Sequence, residues 1–238
     1  MVDGKSRRDS AEFKMNQTDL SDEVLEKFPA LVQPGIGHGF VRRVPGVGGG
    51  LDKTEVLAQL RPWHQAAVKD LGFALGNVFT AEQIHGGRTA EVTADSPRWT
   101  PGVDGLMSNQ PGLMLGIHTA DCAPVYLWDP VRKAVALLHS GRKSTEAGIT
   151  PRTIRRMAEA YGTDPGDLIV QIGPCIRPPL FEVDLAVTIR SEALAAGVPA
   201  SQVHDCGTCT GAKVADYYSY RVEKGKTGRL LALLGLRA

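Results

Sequence analysis

Six short apolar runs occupy the middle of this chain, over residues 78–84, 89–93, 113–118, 125–128, 134–139 and 168–172. They are bounded by turns rich in Gly, Pro and Asp, and runs of this length and setting predict strands. Helical spacing occurs elsewhere. Over 54–71 the apolar residues Val56, Leu57, Leu60, Trp63, Ala67, Val68 and Leu71 recur at three- and four-residue intervals, with Pro62 expected to bend the helix. Further helices are predicted over 154–161 and 185–196, the second ended by Gly197. A weak helix is predicted over 24–32 and a strand over 36–44, followed by a Gly-rich turn over 45–50. Residues 229–236 are apolar and read equally as strand or helix. Strands interleaved with helices, without repeats or low-complexity linkers, predict a mixed α/β fold. Residues 1–20 are expected to form a flexible tail, and 21–238 a single domain with a mixed sheet flanked by helices.

Three segments put a soft metal ligand at the end of an apolar run: Gln83-Ile84-His85-Gly86, Thr119-Ala120-Asp121-Cys122 and Leu138-His139-Ser140-Gly141. Two imidazoles and one thiolate are donors that zinc favours, and three protein ligands leave a fourth position open. The three are far apart in sequence, so this is no short-loop zinc finger. Strand ends on one sheet edge can converge, and rigid elements there hold ligands accurately. A lone His or Cys is more often a satisfied polar residue or a small buried one, so the metal reading depends on the three meeting.

The 238 residues carry a formal net charge of +1, which argues against nucleic acid as a partner. No apolar run approaches the roughly 20 residues of a membrane-spanning helix. The first 19 residues lack the apolar core of a secretion signal, so a cytoplasmic location is expected, with no membrane partner. Four cysteines in a chain of this length are expected to be thiols or ligands rather than a disulfide framework. Cys206 and Cys209 form a C-x-x-C without a second pair and are read as structural, and Cys175 as packed in a turn. The Gly46–Gly50 stretch lacks the Gly-Lys pair of a phosphate-binding P-loop, since Asp52 precedes Lys53.

The strings Gln83-Ile84-His85-Gly86, Thr119-Ala120-Asp121-Cys122-Ala123-Pro124, His139-Ser140-Gly141, Gly173-Pro174-Cys175-Ile176, Phe181-Glu182-Val183, Cys209-Thr210 and Ser219-Tyr220-Arg221 occur in this order. From about Phe40 to the C-terminus the chain thereby resembles the YfiH-like family. That family was first labelled multicopper polyphenol oxidase (laccase) and is now associated with purine nucleoside phosphorylase activity. The resemblance implies a mixed α/β fold and a zinc site made by His85, Cys122 and His139. It also implies small-molecule substrates, a purine nucleoside and phosphate, and a reported deamination of adenosine. The third segment departs from the family's His-Ala-Gly-Trp-Arg-Gly-Thr: here it reads His139-Ser140-Gly141-Arg142-Lys143-Ser144-Thr145. Lys143 thus offers a point charge where the family offers a bidentate fork.

An open zinc position lowers the pKa of water to about 7, which suits hydrolytic deamination. Phosphorolysis needs a held phosphate instead, for which Arg142, Lys143 and Arg42 are candidates and Arg221 a weaker one. Asp121 and Asp104 are candidates to orient a ligand imidazole, or to cap turns. His118 is a further candidate to face the site, whereas His38, His64 and His204 are expected to take no part. Several alternatives stay open. Cys122 and His139 can act without metal as nucleophile and base, a pairing also suggested by the fold's likeness to bacterial cysteine-hydrolase toxins. The same groups suit amide hydrolysis in editing peptidoglycan precursors, and a non-catalytic family member is the third reading. Copper is the second choice of metal: two His and one Cys can bind it, but a multicopper oxidase needs more than the six histidines present.

Overall fold

The structure, a computed structural model, describes residues 24–48 and 52–238. The tail expected over 1–20 and the end of the Gly-rich turn lie outside the described residues. Twelve strands are present: β1 (Leu25–Glu26), β2 (Ile36–Val41), β3 (Val78–Ala81), β4 (Thr89–Glu91), β5 (Trp99–Thr100), β6 (Gly105–Ser108), β7 (Met114–Thr119), β8 (Ala123–Asp129), β9 (Ala134–Ser140), β10 (Ile169–Ile172), β11 (Val203–Asp205) and β12 (Leu230–Leu236). They are accompanied by α1 (Lys53–Asp70), α2 (Arg142–Glu146), α3 (Ile149–Tyr161) and α4 (Leu185–Ala195).

The expected mixed α/β fold is present, with its strands divided between two sheets. There are two six-stranded mixed sheets, ordered β1-β2-β12-β7-β3-β5 and β11-β10-β8-β9-β6-β4. The chain passes between the sheets repeatedly, from β3 to β4, back to β5, on to β6, back to β7, on to β8 and finally from β11 to β12, and the β7–β8 link is the step that carries Cys122. Periodicity hides this step, because β8 and β9 are buried on both faces and do not alternate apolar with polar. Their side chains still sort by face. Tyr126, Trp128, Val135 and Leu137 join the core shared with the first sheet and with Val56, Leu60, Ala67 and Val68 of α1. Val125, Leu127, Ala136 and Leu138 pack instead under Ile154 and Met157 of α3 and Ile189 of α4.

Several local expectations change for identifiable reasons. Residues 24–32 are not helical: Leu25 pairs with Val41 in β1, and a short 3-10 turn, Pro29–Leu31, follows. Phe28 is buried edge-on against Tyr126, which fixes the segment in the core. The apolar tail becomes β12, paired on both sides by β2 and β7. Helix α1 continues through Pro62, which lies on its exposed side, and starts with a capping box between Asp52 and Glu55. Helix α3 begins at Ile149, so Pro151 sits in its first turn, where a missing N–H costs nothing. No helix among the described residues is long and apolar enough to cross a membrane.

Candidate metal centre and its cavity

Strand register brings the separated motifs together. In the β8–β9 ladder Ala123 faces Ser140, so the next residues outward are Cys122 and Gly141. In the β6–β9 ladder Gly105 faces Leu138, which sets Asp104 beside His139, and the His139 N–H donates to the Asp104 carbonyl at 2.7 Å. His85 arrives from the first sheet, in the turn after β3. The strand expected to run to residue 84 stops at Ala81, because Gln83 and His85 take left-handed backbone conformations (φ +66° and +63°). One ligand atom from each of His85, Cys122 and His139 lies within 4.8 Å of the others. The two imidazoles meet edge-on with centroids 4.8 Å apart.

Asp104 organises the two histidines. Its Oδ1 accepts from His139 Nδ1 at 2.9 Å and from the His85 amide at 2.8 Å, and its Oδ2 accepts from the Gly86 amide at 2.7 Å. This leaves His139 Nε2 for the centre and fixes the backbone that carries the other ring. Burial acts to raise the Asp104 pKa, but the His139 bond and the two amides hold it below the usual carboxylate range. Burial likewise disfavours a charge on Cys122, yet His139 and His85 bring its thiol pKa down. Burial disfavours the His139 cation, and the Cys122 thiolate and Asp104 raise its pKa all the same. Both shifts act in the direction of a thiolate beside an imidazolium.

Glycine is required at 141 by space alone. Its backbone (φ −84°, ψ 179°) suits any residue, but a Cβ there would lie 2.7 Å from Cys122 Sγ and 3.3 Å from His85 Cδ2. The strained turns are held by side chains. Gln83 accepts from the His118 amide at 3.0 Å and donates to the His118 carbonyl, tying β3 to β7. Asp121, at φ +85°, accepts from Thr210 Oγ1 (2.7 Å), Ser219 Oγ (3.1 Å) and the Arg221 amide (2.7 Å). Its carboxylate thus fastens the C-terminal loops to the Cys122 turn, while Asp104 is the carboxylate that reaches a ligand imidazole.

A cavity of about 520 Å³ opens onto the three ligands. Four cations line it: Lys53, Arg142, Arg221 and Arg229. Phe181 and Tyr220 add aromatic surface, and His118 contributes to the wall. Arg142 is bonded to Glu146 (2.9 Å) and Glu182 (3.1 Å), and Arg221 bridges to the other Glu182 oxygen at 3.1 Å while lying over Phe181. Lys143 is exposed and does not line the cavity. Arg42 lies outside it as well, 5.9 Å from the centre of the Tyr217 ring. His38 accepts from the Phe28 amide, and burial drives its pKa down to about 4, so it is a neutral packing residue. Cys175 is buried and pairs through its backbone with Cys209. Lys53 and Arg229 were missed in the sequence reading, since neither stands in a motif that points to chemistry.

The family model for multi-copper polyphenol oxidoreductase laccase matches residues 52–191 and 181–237. The chain belongs to this laccase-like, YfiH-type family. It is 31% identical to the purine nucleoside phosphorylase YlmD of Geobacillus stearothermophilus over 229 aligned positions, covering 79% of this chain and 81% of the relative. It is also 31% identical to a purine nucleoside phosphorylase of Deinococcus radiodurans, covering 89% of this chain and 92% of that one. The crystal structure of the Geobacillus stearothermophilus YlmD superposes with a TM-score of 0.77 at 27% identity, over 89% of this chain and 94% of that one. The Bacillus licheniformis protein YfiH superposes with a TM-score of 0.72 at 25% identity, over 85% of this chain and 93% of that one.

Proposed function

We propose that this protein is a zinc-dependent purine nucleoside phosphorylase acting on adenosine- and inosine-type nucleosides, with adenosine deamination as a second activity of the same centre. The observation that carries this reading is the convergence of His85, Cys122 and His139 on one wall of a cavity large enough for a small molecule. The names of the relatives supply the substrate class. The donor set fits the metal: two imidazoles and one thiolate are close enough to share an ion, and Asp104 orients one imidazole as zinc sites require. When bound, such an ion supplies Lewis-acid polarisation of an oxygen brought to its open position. The chain's own residues do the rest. Phe181 and Tyr220 offer flat surface for a purine. Asp121 keeps the Cys122 turn and the Arg221 loop in register. Phosphorolysis exchanges the C1′–N bond of the nucleoside for a C1′–O bond to phosphate, so the cavity must also hold an anion.

The second reading, a Cys122–His139 hydrolase without metal, draws on the depressed thiol pKa. His85 argues against it, because a nucleophile–base pair gains nothing from a second imidazole beside the thiolate. The test combines metal analysis with phosphate-dependent release of base from inosine and adenosine. Zinc-loaded protein is expected to release base, to lose this on chelation and to regain it on readdition. The Cys122→Ala variant is expected to lose metal and turnover together while keeping its circular dichroism. Protein with stoichiometric zinc that leaves both nucleosides unchanged in phosphate buffer refutes the proposal. Base release that survives chelation and does not require phosphate favours the hydrolase reading.

A further inference from the structure

The charges lining the cavity do not balance. Asp121 is the one carboxylate among its lining residues, and its oxygens are already engaged by three donors. Four cations face it. Two of them, Arg142 and Arg221, are neutralised by Glu182, with Glu146 also on Arg142. The other two, Lys53 and Arg229, take part in no ion pair among the described residues. Arg229 spends one terminal nitrogen, Nη1, on the carbonyls of Thr227 and Gly228, which are neutral groups. Glu82 attracts Lys53 through space, but its Oε2 accepts from the Gly102 amide.

The two cations are also close enough to disturb each other's surroundings. Burial lowers the Lys53 pKa, and Arg229 lowers it further. His118, on the same wall, is held neutral by burial first, then by His64, Lys53 and Arg229. The His64 ring stands 5.5 Å from the His118 ring, and its Nε2 is buried without a hydrogen-bond partner. Glu82 acts on Lys53, and Cys122 and Tyr220 act on Arg229, only through space, so two like charges in a half-buried wall stand without an ion-pair partner and an anion between them would be stabilised. The amides at the start of α1 do not supply that anion's contacts, because Asp52 already takes those of Thr54 and Glu55. The side chains do.

We propose that Lys53 and Arg229 form the oxyanion subsite of this cavity and hold inorganic phosphate there, apart from the Arg142–Glu182–Arg221 chain of ion pairs. The assignment deepens the phosphorylase reading and rests on it for the role of the anion as co-substrate. A tetrahedral oxyanion is the chemistry this pair recognises: a guanidinium fork for two oxygens and an ammonium for a third. The same chemistry would recognise the phosphate of a nucleotide, so the experiment separates the two sources.

Inorganic phosphate and, separately, a purine nucleoside 5′-monophosphate are titrated calorimetrically into the zinc-loaded full chain. The proteins are wild type, Lys53→Gln, Lys53→Arg, Arg229→Gln and, as a charge-matched control, Lys69→Gln at the far end of α1. Steady-state KM values for phosphate and for inosine are measured on the same set. Lys53→Gln is expected to weaken phosphate roughly tenfold or more, the scale of one charge-assisted hydrogen bond. The KM for inosine should stay unchanged, Lys53→Arg should restore much of the loss, and Lys69→Gln should match wild type. Arg229→Gln should act in the same direction, and the Lys53 series stands alone if that variant folds poorly. Phosphate binding unchanged in Lys53→Gln overturns the proposal. So does binding of the nucleotide alone. Lys53-dependent phosphate binding without any release of base would sink the phosphorylase reading and leave the subsite standing.

Discussion

The sharpest perturbation of the centre is one methyl group, placed by Gly141→Ala. Ordinary contact begins near 3.4 Å, and the added Cβ would stand 2.7 Å from Cys122 Sγ, so sulfur or backbone must give by about 0.7 Å. The backbone at 141 is extended and carries no strain of its own for alanine. Gly141 is also the residue before α2, where alanine is a poorer cap than glycine by up to about 1 kcal/mol. That penalty shifts Tm by about 2–4 °C in a chain of this size. The effect on the centre is larger, because ligand distances tolerate only about 0.2 Å. A displaced thiolate is expected to cost at least the 10- to 100-fold in affinity that disturbing a ligand's support costs. The assay is zinc affinity by competition with a chromophoric chelator, beside Tm of the metal-free protein. The reasoning predicts a small Tm change and a large loss of metal and turnover. A variant that binds zinc like wild type refutes the claim that Sγ occupies its metal-binding place in the structure.

Two further predictions concern the carboxylates that hold the site's frame. Asp104→Asn keeps the shape but puts an amide where three donors point, so zinc affinity should fall by about 10- to 100-fold, read by competition. Glu223 holds the loop that carries Arg221 by accepting from Arg43 (2.7 Å), Thr227 Oγ1 (2.6 Å) and the Ser219 amide (3.0 Å). Burial works to raise the Glu223 pKa and these bonds lower it overall, so the carboxylate stabilises the fold above its unfolded pKa near 4.3. That contribution is lost as pH falls through the lower folded value. Glu223→Gln should therefore cost about 1 kcal/mol at pH 7 and progressively less below pH 4, and urea unfolding at a series of pH values checks this.

Legibility in the sequence followed the source of each constraint. The grouping of His85, Cys122 and His139 could be anticipated because each carries distinctive chemistry in a short motif at the end of an apolar run, and their ligand atoms do lie within 4.8 Å of one another. Helix α1 could be read from its helical spacing, α4 from its apolar run ended by Gly197, and the central strands as apolar runs bounded by turn residues. Strands β1, β5 and β11 could not, since two or three residues hold no period, and they exist because a neighbour supplies their hydrogen bonds. Strand β6 escaped for a different reason: its apolar run is only Leu106-Met107, too short to stand out between Gly105 and Ser108. The partition into two sheets was also hidden, because it depends on which face of β8 and β9 meets which layer. Lys53 and Arg229 were invisible as a pair because they stand 176 positions apart. Only the meeting of the start of α1 with the approach to β12 at one cavity relates them.

The seam between the sheets also explains how three ligands can be held ready before any metal arrives. His139 is the penultimate residue of β9 in the second sheet, Cys122 sits in the β7–β8 link between the sheets, and His85 follows β3 of the first. A ligand set spread over two layers is accurate only if the layers cannot slide. Gln83 pins β3 to β7, Asp104 pins the His85 turn to β9, and Asp121 pins the Cys122 turn to the C-terminal loops. Two of the three ties begin at non-glycine residues in left-handed conformations, which cost of order 1–3 kcal/mol each. Such conformations persist only where the surroundings over-determine them, and each of these is held by two or three hydrogen bonds that do not involve a metal. The fold therefore does not depend on the ion in the way a zinc finger does. Metal-free protein should unfold cooperatively, and zinc should raise its Tm only by the mass-action increment of ligand binding. Metal-free protein that is molten by near-ultraviolet circular dichroism would contradict this account, since the ties would then be consequences of the metal and not the frame that receives it.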